Sequence, residues 1–338
     1  MKAHRYSILL LIALLLLSVS NSALAQPLTL TIKTDKTTYS LGWPITVTGN
    51  LTQGGTPVSN GLVTIQVNNP RAEPIILRTR PTGTNLSGPW MIEIISLLTC
   101  DSAGNPKSTF KRGGNMGFRI TLRNNALTSY PVRVPIYIQY SDSTPGTLFM
   151  IYEGTLQANK TVTIVTWPVP ISSTAPLGTT YAYANAINDL PTNNGYAYCP
   201  EKQATFTISL TTGTTTGLSG GSLALLANEG SFSMVFKITT HGGMLGNYTV
   251  NASSRYSFYI AFGRTAFQVK LIGDITGRYG VPDGKVDILD VALVSRSFGS
   301  YPGHPLWNPV CDVNKDGRVD ITDVSMVSGD FGKWGVLP

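Results

Sequence analysis

The run Leu62-Val63-Thr64-Ile65-Gln66-Val67 decides the fold class of this chain. Apolar and β-branched residues recur in it at every second position, which is the period of a half-buried strand. Similar runs lie at residues 28–32, 45–48 and 90–94, and turn-forming stretches such as Gln53-Gly54-Gly55-Thr56-Pro57 separate them. Short strands punctuated by turns predict an antiparallel β-sandwich over residues 26–99.

The same alternation continues along the chain. Runs at residues 118–122, 132–140, 161–165 and 204–208 predict a second sandwich over residues 100–210. Residues 211–221 have the Thr- and Gly-rich composition of a linker, and residues 222–272 contain a short third β block. The sequence leaves open whether that block is a minimal sandwich or completes the second one. Because residues 26–285 show no helical period, the predicted fold class is mainly β.

Residues 312–323 carry a calcium-binding pattern. They read Asp312-Val313-Asn314-Lys315-Asp316-Gly317-Arg318-Val319-Asp320-Ile321-Thr322-Asp323, with oxygen donors at loop positions 1, 3, 5, 9 and 12 and glycine at position 6. The glycine permits the sharp bend that turns the position-7 carbonyl inward, as in an EF-hand-type loop. The predicted ligands are Asp312, Asn314, Asp316, Arg318, Asp320 and Asp323. Apolar residues at helical spacing follow the loop and predict a helix there.

A second copy of this pattern lies upstream. Residues 283–291 align with residues 316–324, but strict spacing puts Tyr279 and Val281 at the first two ligand positions, where neither side chain suits calcium. Asp274 can be the first ligand only if residues 276–282 form an enlarged loop. The predicted ligands of this copy are then Asp274, Asp283, Lys285, Asp287 and Asp290.

Two loop–helix units without the usual entering helices resemble a type I dockerin module, and the resemblance covers residues 273–334 of a C-terminal segment at 273–338. The resemblance implies a duplicated calcium loop–helix fold that forms only with metal and docks onto a cohesin domain. The dockerin positions that contact cohesin fall on Ile288-Leu289 and Ile321-Thr322. Cellulosomal dockerins often carry a hydroxyl pair there, so the identity of a cohesin partner stays open.

Two further resemblances concern the β blocks and the segment between the two loop–helix units. The β blocks resemble Ig-like or CARDB-like domains. The segment between the two loop–helix units, residues 298–309, is similar to C-terminal modules of archaeal surface proteins. These resemblances imply a secreted or cell-surface protein.

The N-terminus has the layout of a secretory signal peptide. Lys2 and Arg5 precede an apolar run at residues 8–17, and Ala23-Leu24-Ala25 provides a small-residue cleavage site. The apolar run has about half of the ~20 residues that a membrane-spanning helix needs. Residues 1–25 are therefore predicted to be cleaved from an extracellular protein that has no later membrane span.

Export would expose the chain to two modifications. Cys100 and Cys199 enclose a segment the size of one sandwich, and a disulfide between them is predicted, with three buried free thiols as the alternative. The sequons predict N-glycosylation, in a host that performs it, at Asn50, Asn85, Asn159, Asn247 and Asn251.

The composition argues against nucleic-acid binding and catalysis. The net charge is +7, but the positive residues are scattered over the β blocks, whereas half of the 18 acidic residues lie in residues 273–338. Gly217-Leu218-Ser219-Gly220-Gly221 matches a hydrolase nucleophile string, but it lies in the predicted linker rather than between a strand and a helix. No two acids in residues 26–272 form a recognisable glycosidase pair. The chain is therefore predicted not to be an enzyme.

The sequence leaves three functions open. The first is a non-catalytic scaffold or adhesion protein whose module docks onto a cohesin-like domain or onto its own Ig-like neighbour. The second is a carbohydrate-binding accessory protein of a polysaccharide-degrading system, with Trp90, Trp167, Tyr181 and Tyr183 as a sugar platform. The third is a divergent glycoside hydrolase. The basic β region also suits contact with anionic cell-envelope glycans.

Overall fold

The computed structural model describes residues 26–84, 86, 88–211 and 228–338. The predicted signal peptide, the sequon at Asn85, the nucleophile-like string and all of the predicted linker except Thr211 lie outside these residues. None of the helices in the described ranges has the length and apolar character that crossing a bilayer requires.

The described chain is mainly β, as predicted, with a small helical region near the C-terminus. The helices are α1 (Ile288–Arg296), α2 (Ile321–Gly329) and a 3-10 helix (Pro191–Asn193). The earlier strands are β1 (Leu28–Thr34), β2 (Thr38–Ser40), β3 (Pro44–Gln53), β4 (Thr56–Pro57), β5 (Leu62–Asn68), β6 (Pro74–Pro81), β7 (Ile92–Cys100), β8 (Thr109–Lys111), β9 (Asn115–Asn124) and β10 (Tyr130–Gln139). The later strands are β11 (Pro145–Leu156), β12 (Thr161–Pro170), β13 (Gly178–Ala184), β14 (Lys202–Ser209), β15 (Ser231–Lys237), β16 (His241–Met244), β17 (Gly246–Tyr256), β18 (Tyr259–Lys270) and β19 (Trp334–Val336).

Strands from both ends of the β region build a first sandwich. One sheet has the order β1-β3-β15, with β4 added on β3, and the other has the order β2-β18-β17-β5-β6. Side chains from both sheets, such as Val47 and Phe267, share one buried core. Val63, Ile65 and Val67 of β5 belong to this core, which accounts for the alternation in that stretch of sequence.

The second sandwich is inserted into the first, between β6 and β15. Its sheets have the orders β12-β9-β7 and β11-β10-β13-β14-β8. Apolar residues from both sheets form a separate core, which contains Phe118, Ile120, Val134, Ile136 and Phe206. The two sandwiches are thus the two layered bodies of the β region.

The strand pairing differs from the predicted boundaries of the β domains. β7, which the sequence assigned to a domain at residues 26–99, pairs with β9 in the second sandwich. The block at residues 222–272 neither stands alone nor completes the second sandwich, because β15 pairs with β3 and β17 pairs with β5 of the first. A period-two pattern identifies strands but carries no information about their partners. The open edges of β3 and β5 are covered by strands that follow the insertion.

A buried ion cluster joins the two sandwiches. Glu201 of the second sandwich accepts hydrogen bonds from Arg78 at 2.6 and 2.9 Å, from the Thr79 backbone N–H at 2.9 Å and from Arg80 at 3.4 Å. Burial acts to raise the pKa of Glu201, but the charges of the two arginines outweigh it and hold that pKa below its ordinary value. The Arg78 guanidinium also lies 3.3 Å from the centre of the Tyr183 ring.

A segment of the second sandwich covers the outer face of β5. The Thr192 hydroxyl donates a hydrogen bond to the Gln66 side chain of β5 at 3.3 Å, and Asn185 donates to the Leu77 carbonyl of the neighbouring strand β6 at 3.3 Å. β5 is therefore buried along its whole length. An alternating sequence predicts one solvated face, and here that face is covered by the inserted sandwich instead.

The structure contradicts the predicted disulfide. Cys100, Cys199 and Cys311 are all free and buried. Cys199 lies beside the backbone of Ile94, six residues before Cys100 on β7, so roughly 20 Å separates the two thiols. A disulfide needs Cα atoms within about 7 Å of each other. The alternative of three buried thiols is the one that the structure contains.

We expect all three thiols to be reduced in the folded protein. Alkylation in denaturant without reductant is expected to modify three cysteines. The folded chain should react little at neutral pH, because burial raises the pKa of Cys199 to about 12 and raises the pKa values of Cys100 and Cys311 as well. Intact mass spectrometry measures both reactions. Two missing alkylation sites in denaturant would show that a disulfide forms after all.

The predicted glycosylation sites within the described residues differ in exposure. Asn50, Asn159 and Asn247 are exposed, whereas Asn251 is half-buried. Modification of these sequons remains a prediction.

Candidate metal centre

The loop at residues 312–323 winds around two of its own carboxylates. Asp312 accepts hydrogen bonds from the backbone N–H groups of Asp316 and Gly317, at 3.1 and 3.0 Å. Asp323, at the other end of the loop, accepts two more from residues 313 and 314, at 2.7 and 3.2 Å. Gly317 has a φ of 87°, a left-handed conformation that glycine adopts without strain. The structure thus brings the two ends of the predicted ligand set together.

The upstream loop repeats this hydrogen-bond scheme. Asp274 accepts from the backbone N–H groups of Asp283 and Gly284, at 3.1 and 2.8 Å, as its counterpart does downstream. Asp290 accepts from the two residues that follow Asp274, at 2.8 and 2.9 Å. The two loops therefore have equivalent carboxylates in equivalent roles.

The difference between the loops is the insertion at residues 276–282. Tyr279 is 84% exposed and Val281 is 59% exposed, so neither side chain faces the carboxylates of its loop. Asp274 occupies the place that Asp312 has downstream. This is the enlarged loop that the sequence required if Asp274 was to be the first ligand.

Each loop leads directly into the N-terminal cap of a helix. Asp287 begins α1 and Asp320 begins α2, and each accepts a hydrogen bond from the backbone two residues later, at 2.8 and 2.7 Å. Asp290 and Asp323 in turn accept from the backbone N–H of their cap residues, at 2.8 and 2.9 Å. This reciprocal pairing is a capping box, so the same carboxylates define both the loop and the start of the helix.

The loops concentrate negative charge and hard oxygen donors. Burial, together with the nearby charges of Asp290 and Asp283, raises the pKa of Asp274 to about 6. Across the residues that the structure describes, no three acidic, His or Cys side chains are grouped closely enough to hold a metal ion by themselves. Carboxylate, amide and carbonyl oxygens are the donors that Ca²⁺ prefers, so the residues present fit that ion.

A comparison with known families identifies this part of the chain. Residues 281–331 match the dockerin type I domain. The match covers the second loop and both helices and confirms the resemblance predicted for the C-terminal module. Dockerin type I domains bind calcium and typically bind cohesin domains.

No curated protein matches the sequence. Solved structures match parts of the chain at low similarity. The alkylpurine DNA glycosylase AlkC of Pseudomonas fluorescens is 15% identical, with a TM-score of 0.28 over 36% of this chain and 31% of its own. The C-terminal domain of Wzt is 9% identical, with a TM-score of 0.31 over 42% and 86%. β-Glucuronidase 2 of Bacteroides uniformis is 9% identical, with a TM-score of 0.27 over 48% and 26%. This chain spans less than a third of the glycosylase and of the glucuronidase, and such TM-scores indicate no function.

The predicted partner-binding positions of the dockerin domain are exposed. Ile288, Leu289 and Ile321 expose 66%, 45% and 68% of their surface, and Thr322 is exposed as well. They occupy the first turns of α1 and α2, whereas the later valines of both helices are buried. The two helix starts therefore present apolar side chains to solvent.

The dockerin domain is attached to the first sandwich through the end of the chain. β19 pairs in parallel with β16, which lies between β15 and β17 in the sequence. Asp330, just after α2, is buried and accepts hydrogen bonds from the Ser40 hydroxyl at 2.7 Å and the Gly273 backbone at 3.2 Å, and it pairs with Lys333 at 2.6 Å. Sequence reasoning missed this residue. The signal in the sequence was the internal repeat, because Asp330 of the second copy aligns with another polar residue, Ser297, of the first copy.

Proposed function

We propose that this chain is a non-catalytic, secreted or cell-surface scaffold or adhesion protein whose dockerin domain binds calcium in both loops and docks onto a cohesin-like partner. The observation that carries the proposal is the hydrogen-bond scheme shared by the two loops. Each loop leads into a helix whose first turn exposes apolar residues. The two calcium-type loops thus place two exposed apolar helix starts on the module, and such a surface favours docking of a partner protein.

The ligands of the proposed calcium sites come from the two loops. The second loop would hold the ion with Asp312, Asn314, Asp316, the Arg318 carbonyl, Asp320 and Asp323. The first would hold it with Asp274, Asp283, the Lys285 carbonyl, Asp287 and Asp290. When bound, calcium supplies the positive charge that allows several carboxylates to lie close together.

Acidic residues of the β region have structural roles, which supports a non-catalytic function. Glu201 holds the ion cluster between the sandwiches, and Asp189 pairs with Arg133. Asp35 accepts from the Tyr39 hydroxyl at 2.7 Å, and Asp101 accepts from two backbone N–H groups of its own turn. Carboxylates held in this way are not positioned as a pair across a cleft.

The first sandwich is itself a partner of the dockerin domain in this proposal. The contacts of β19 and Asp330 fix the domain to the β region while Ile288, Leu289 and Ile321 stay exposed. A fixed domain presents its docking surface in a defined orientation and loses little conformational freedom when a second partner binds. This arrangement suits a scaffold.

Replacing Ile288 and Ile321 together by aspartate is expected to weaken calcium-dependent capture of a partner by roughly tenfold or more. The reason is that two charges would have to be desolvated at the centre of an apolar surface. Both residues are exposed and lie in first helical turns, where an acidic side chain is favourable, so the fold should persist. The measurement is a pull-down from the cell envelope of the source organism with and without calcium, followed by the affinity of the captured protein.

The control is Val310→Asp, which changes an exposed apolar residue of the same domain outside both helix starts. This variant should capture the partner as the unchanged chain does. Equal capture by all three proteins, or capture that persists in a chelator, would contradict the proposed docking surface.

Carbohydrate binding is a second candidate function, but the predicted aromatic platform does not favour it. The Trp90 carbonyl accepts from Asn125 just after β9, whereas Trp167 lies beside Gly117 near the start of that strand. The two rings are therefore at opposite ends of β9. Tyr183 is buried at the boundary between the sandwiches. The observation that favours carbohydrate binding is instead a cleft between the two sandwiches.

A further inference from the structure

A cleft of about 780 Å³ lies between the two sandwiches and the C-terminal strand. The second sandwich contributes turns at residues 140–147 and 172–176, the first contributes residues 239–241, and β19 contributes Trp334. The volume falls within the range of about 300–1,000 Å³ that is typical of small-molecule sites. The described residues that line this cleft include neither the proposed calcium ligands nor the exposed helix starts.

The lining combines aromatic rings with hydrogen-bonding groups. Trp334 is 41% exposed and Tyr140 is half-buried. Ser172 and Thr174 add exposed hydroxyl groups. Asp142 uses one carboxylate oxygen, Oδ1, to accept from the backbone and the hydroxyl of residue 144, at 3.0 and 2.6 Å. Asp142 is exposed and lines the cleft, so a carboxylate is among the groups that a ligand would meet.

We propose that this cleft binds a short neutral saccharide. A sugar ring presents an apolar C–H face together with hydroxyl groups, which matches aromatic rings flanked by hydroxyls and a carboxylate. The Ser172 and Thr174 hydroxyls bond each other at 2.9 Å at the exposed edge of the cleft, and each keeps further capacity to donate to or accept from a sugar hydroxyl. An anionic ligand would meet Asp142, and no lysine or arginine is among the described lining residues to offset that charge.

Trp334 reaches the cleft because β19 is held from two sides. On one side, the Trp334 backbone N–H donates to the carbonyl of Thr240, the residue before β16, at 3.1 Å. On the other side, the Gly335 N–H donates to the Gly284 carbonyl at 2.9 Å, and the Val286 N–H donates to the carbonyl of residue 333 at 3.0 Å. Gly284 and Val286 belong to the first calcium-type loop, so that loop positions one wall of the cleft.

Saccharide binding in this cleft is therefore calcium-dependent, although the ion would not touch the sugar. This dependence rests on the proposed function, namely on calcium binding in the first loop. Without the ion, residues 284–286 lose their fixed conformation and β19 loses one of its two backbone supports. The cleft then lacks a stably placed aromatic wall.

The test uses the full chain in calcium and isothermal titration with soluble gluco-, xylo- and manno-oligosaccharides, with an oligogalacturonate as the anionic comparison. We expect binding of a neutral oligosaccharide and a roughly tenfold or greater loss of affinity in Trp334→Ala. Trp334→Phe keeps an aromatic ring and should retain most of the affinity. Trp167→Ala is the matched control, because it removes a similarly exposed tryptophan outside the cleft.

Three results would overturn the proposal: no neutral oligosaccharide binds, Trp334→Ala binds as the unchanged chain does, or Trp167→Ala weakens binding equally. A chelator separates the calcium dependence from the calcium proposal itself. If the chelator removes helical circular dichroism but not saccharide binding, the coupling through β19 is wrong and the calcium function stands. If the chelator changes neither, calcium binding fails and the cleft remains a saccharide site.

Discussion

Replacing Glu201 by alanine is expected to lower the free energy of unfolding by about 3–5 kcal/mol, the cost of removing one partner from a buried ion pair. Arg78 and Arg80 expose less than a tenth of their surface and would keep their charges without a counter-ion. The Thr79 backbone N–H would lose its acceptor at the same time. Because these residues join the two sandwiches, removing the Glu201 carboxylate should lower the stability of both. The two sandwiches should then unfold in separate transitions.

The contribution of Glu201 to the free energy of unfolding should decrease as the solution becomes acidic. Its pKa in the folded chain is held below the ordinary value of 4.5. The stabilisation is therefore fully present above that value and is lost as the pH falls through the lower folded-state pKa. We expect the difference in stability between the unchanged chain and Glu201→Ala to be constant from neutral pH to about pH 5 and to shrink in more acidic solution.

Urea unfolding followed by tryptophan fluorescence measures both effects. The matched control is Glu153→Ala, which removes an exposed carboxylate that pairs with Arg133 at 2.8 Å. An exposed pair of this kind should change the free energy by less than about 1 kcal/mol. If Glu201→Ala is no more costly than Glu153→Ala, the ion cluster does not hold the sandwiches together.

Chelation of calcium is expected to remove the helical circular dichroism of the chain while its β signal persists. The helices begin at carboxylates that also belong to the loops, so the loops and the helices should unfold together. Without a cation, Asp312, Asp316, Asp320 and Asp323 repel one another in a loop that the folded state keeps compact. The second sandwich has a separate core, whereas the core of the first sandwich continues into Val286, Val294 and Val319 of the C-terminal module, so the β signal of the second sandwich should persist unchanged.

Loss of the dockerin fold should also reach the first sandwich. Asp330 would withdraw its carboxylate from Ser40, and β19 would leave β16. We therefore expect chelation to increase backbone hydrogen exchange at residues 241–244 and to leave exchange in the second sandwich unchanged.

Asp312→Ala is the variant that tests this dependence, because it removes the first proposed calcium ligand of the second loop. It should show reduced helical signal even in calcium. Asp101→Ala is the matched control, since that aspartate also accepts backbone N–H groups of a turn but lies in the β region. A chain that keeps its full helical signal in excess chelator would rule out metal-dependent folding.

The two calcium-type loops could be predicted from the sequence because their residue pattern is local. The predicted ligands of the second loop lie within residues 312–323, and the capping carboxylates Asp320 and Asp323 are part of the same pattern. The sequence predicted the first loop only on the condition that residues 276–282 form an enlarged loop, since these residues separate Asp274 from Asp283. The tertiary structure shows the equivalence of the two loops, because Asp274 accepts a backbone N–H from Gly284 as Asp312 accepts one from Gly317.

The cysteine prediction was wrong for a related reason. Spacing along the chain places Cys100 and Cys199 at the two ends of a domain-sized segment, but it does not measure the distance between them. That distance depends on which end of β7 each thiol occupies, and Cys199 lies near Ile94 rather than near Cys100. Strand polarity and sheet order, which set such distances, are not written in the spacing of two residues.

The sequence by itself determined that the chain is mainly β and that it carries two calcium-type loops followed by helices. Those features depend on residues within a few positions of one another, through strand period, capping and loop spacing. Only the tertiary structure decided that β15 and β17 complete the first sandwich, that Glu201 meets an arginine 123 residues away, and that Trp334 faces a cleft between the sandwiches. Such contacts join residues that are distant in the chain, and packing of whole sheets, rather than any local pattern, brings them together.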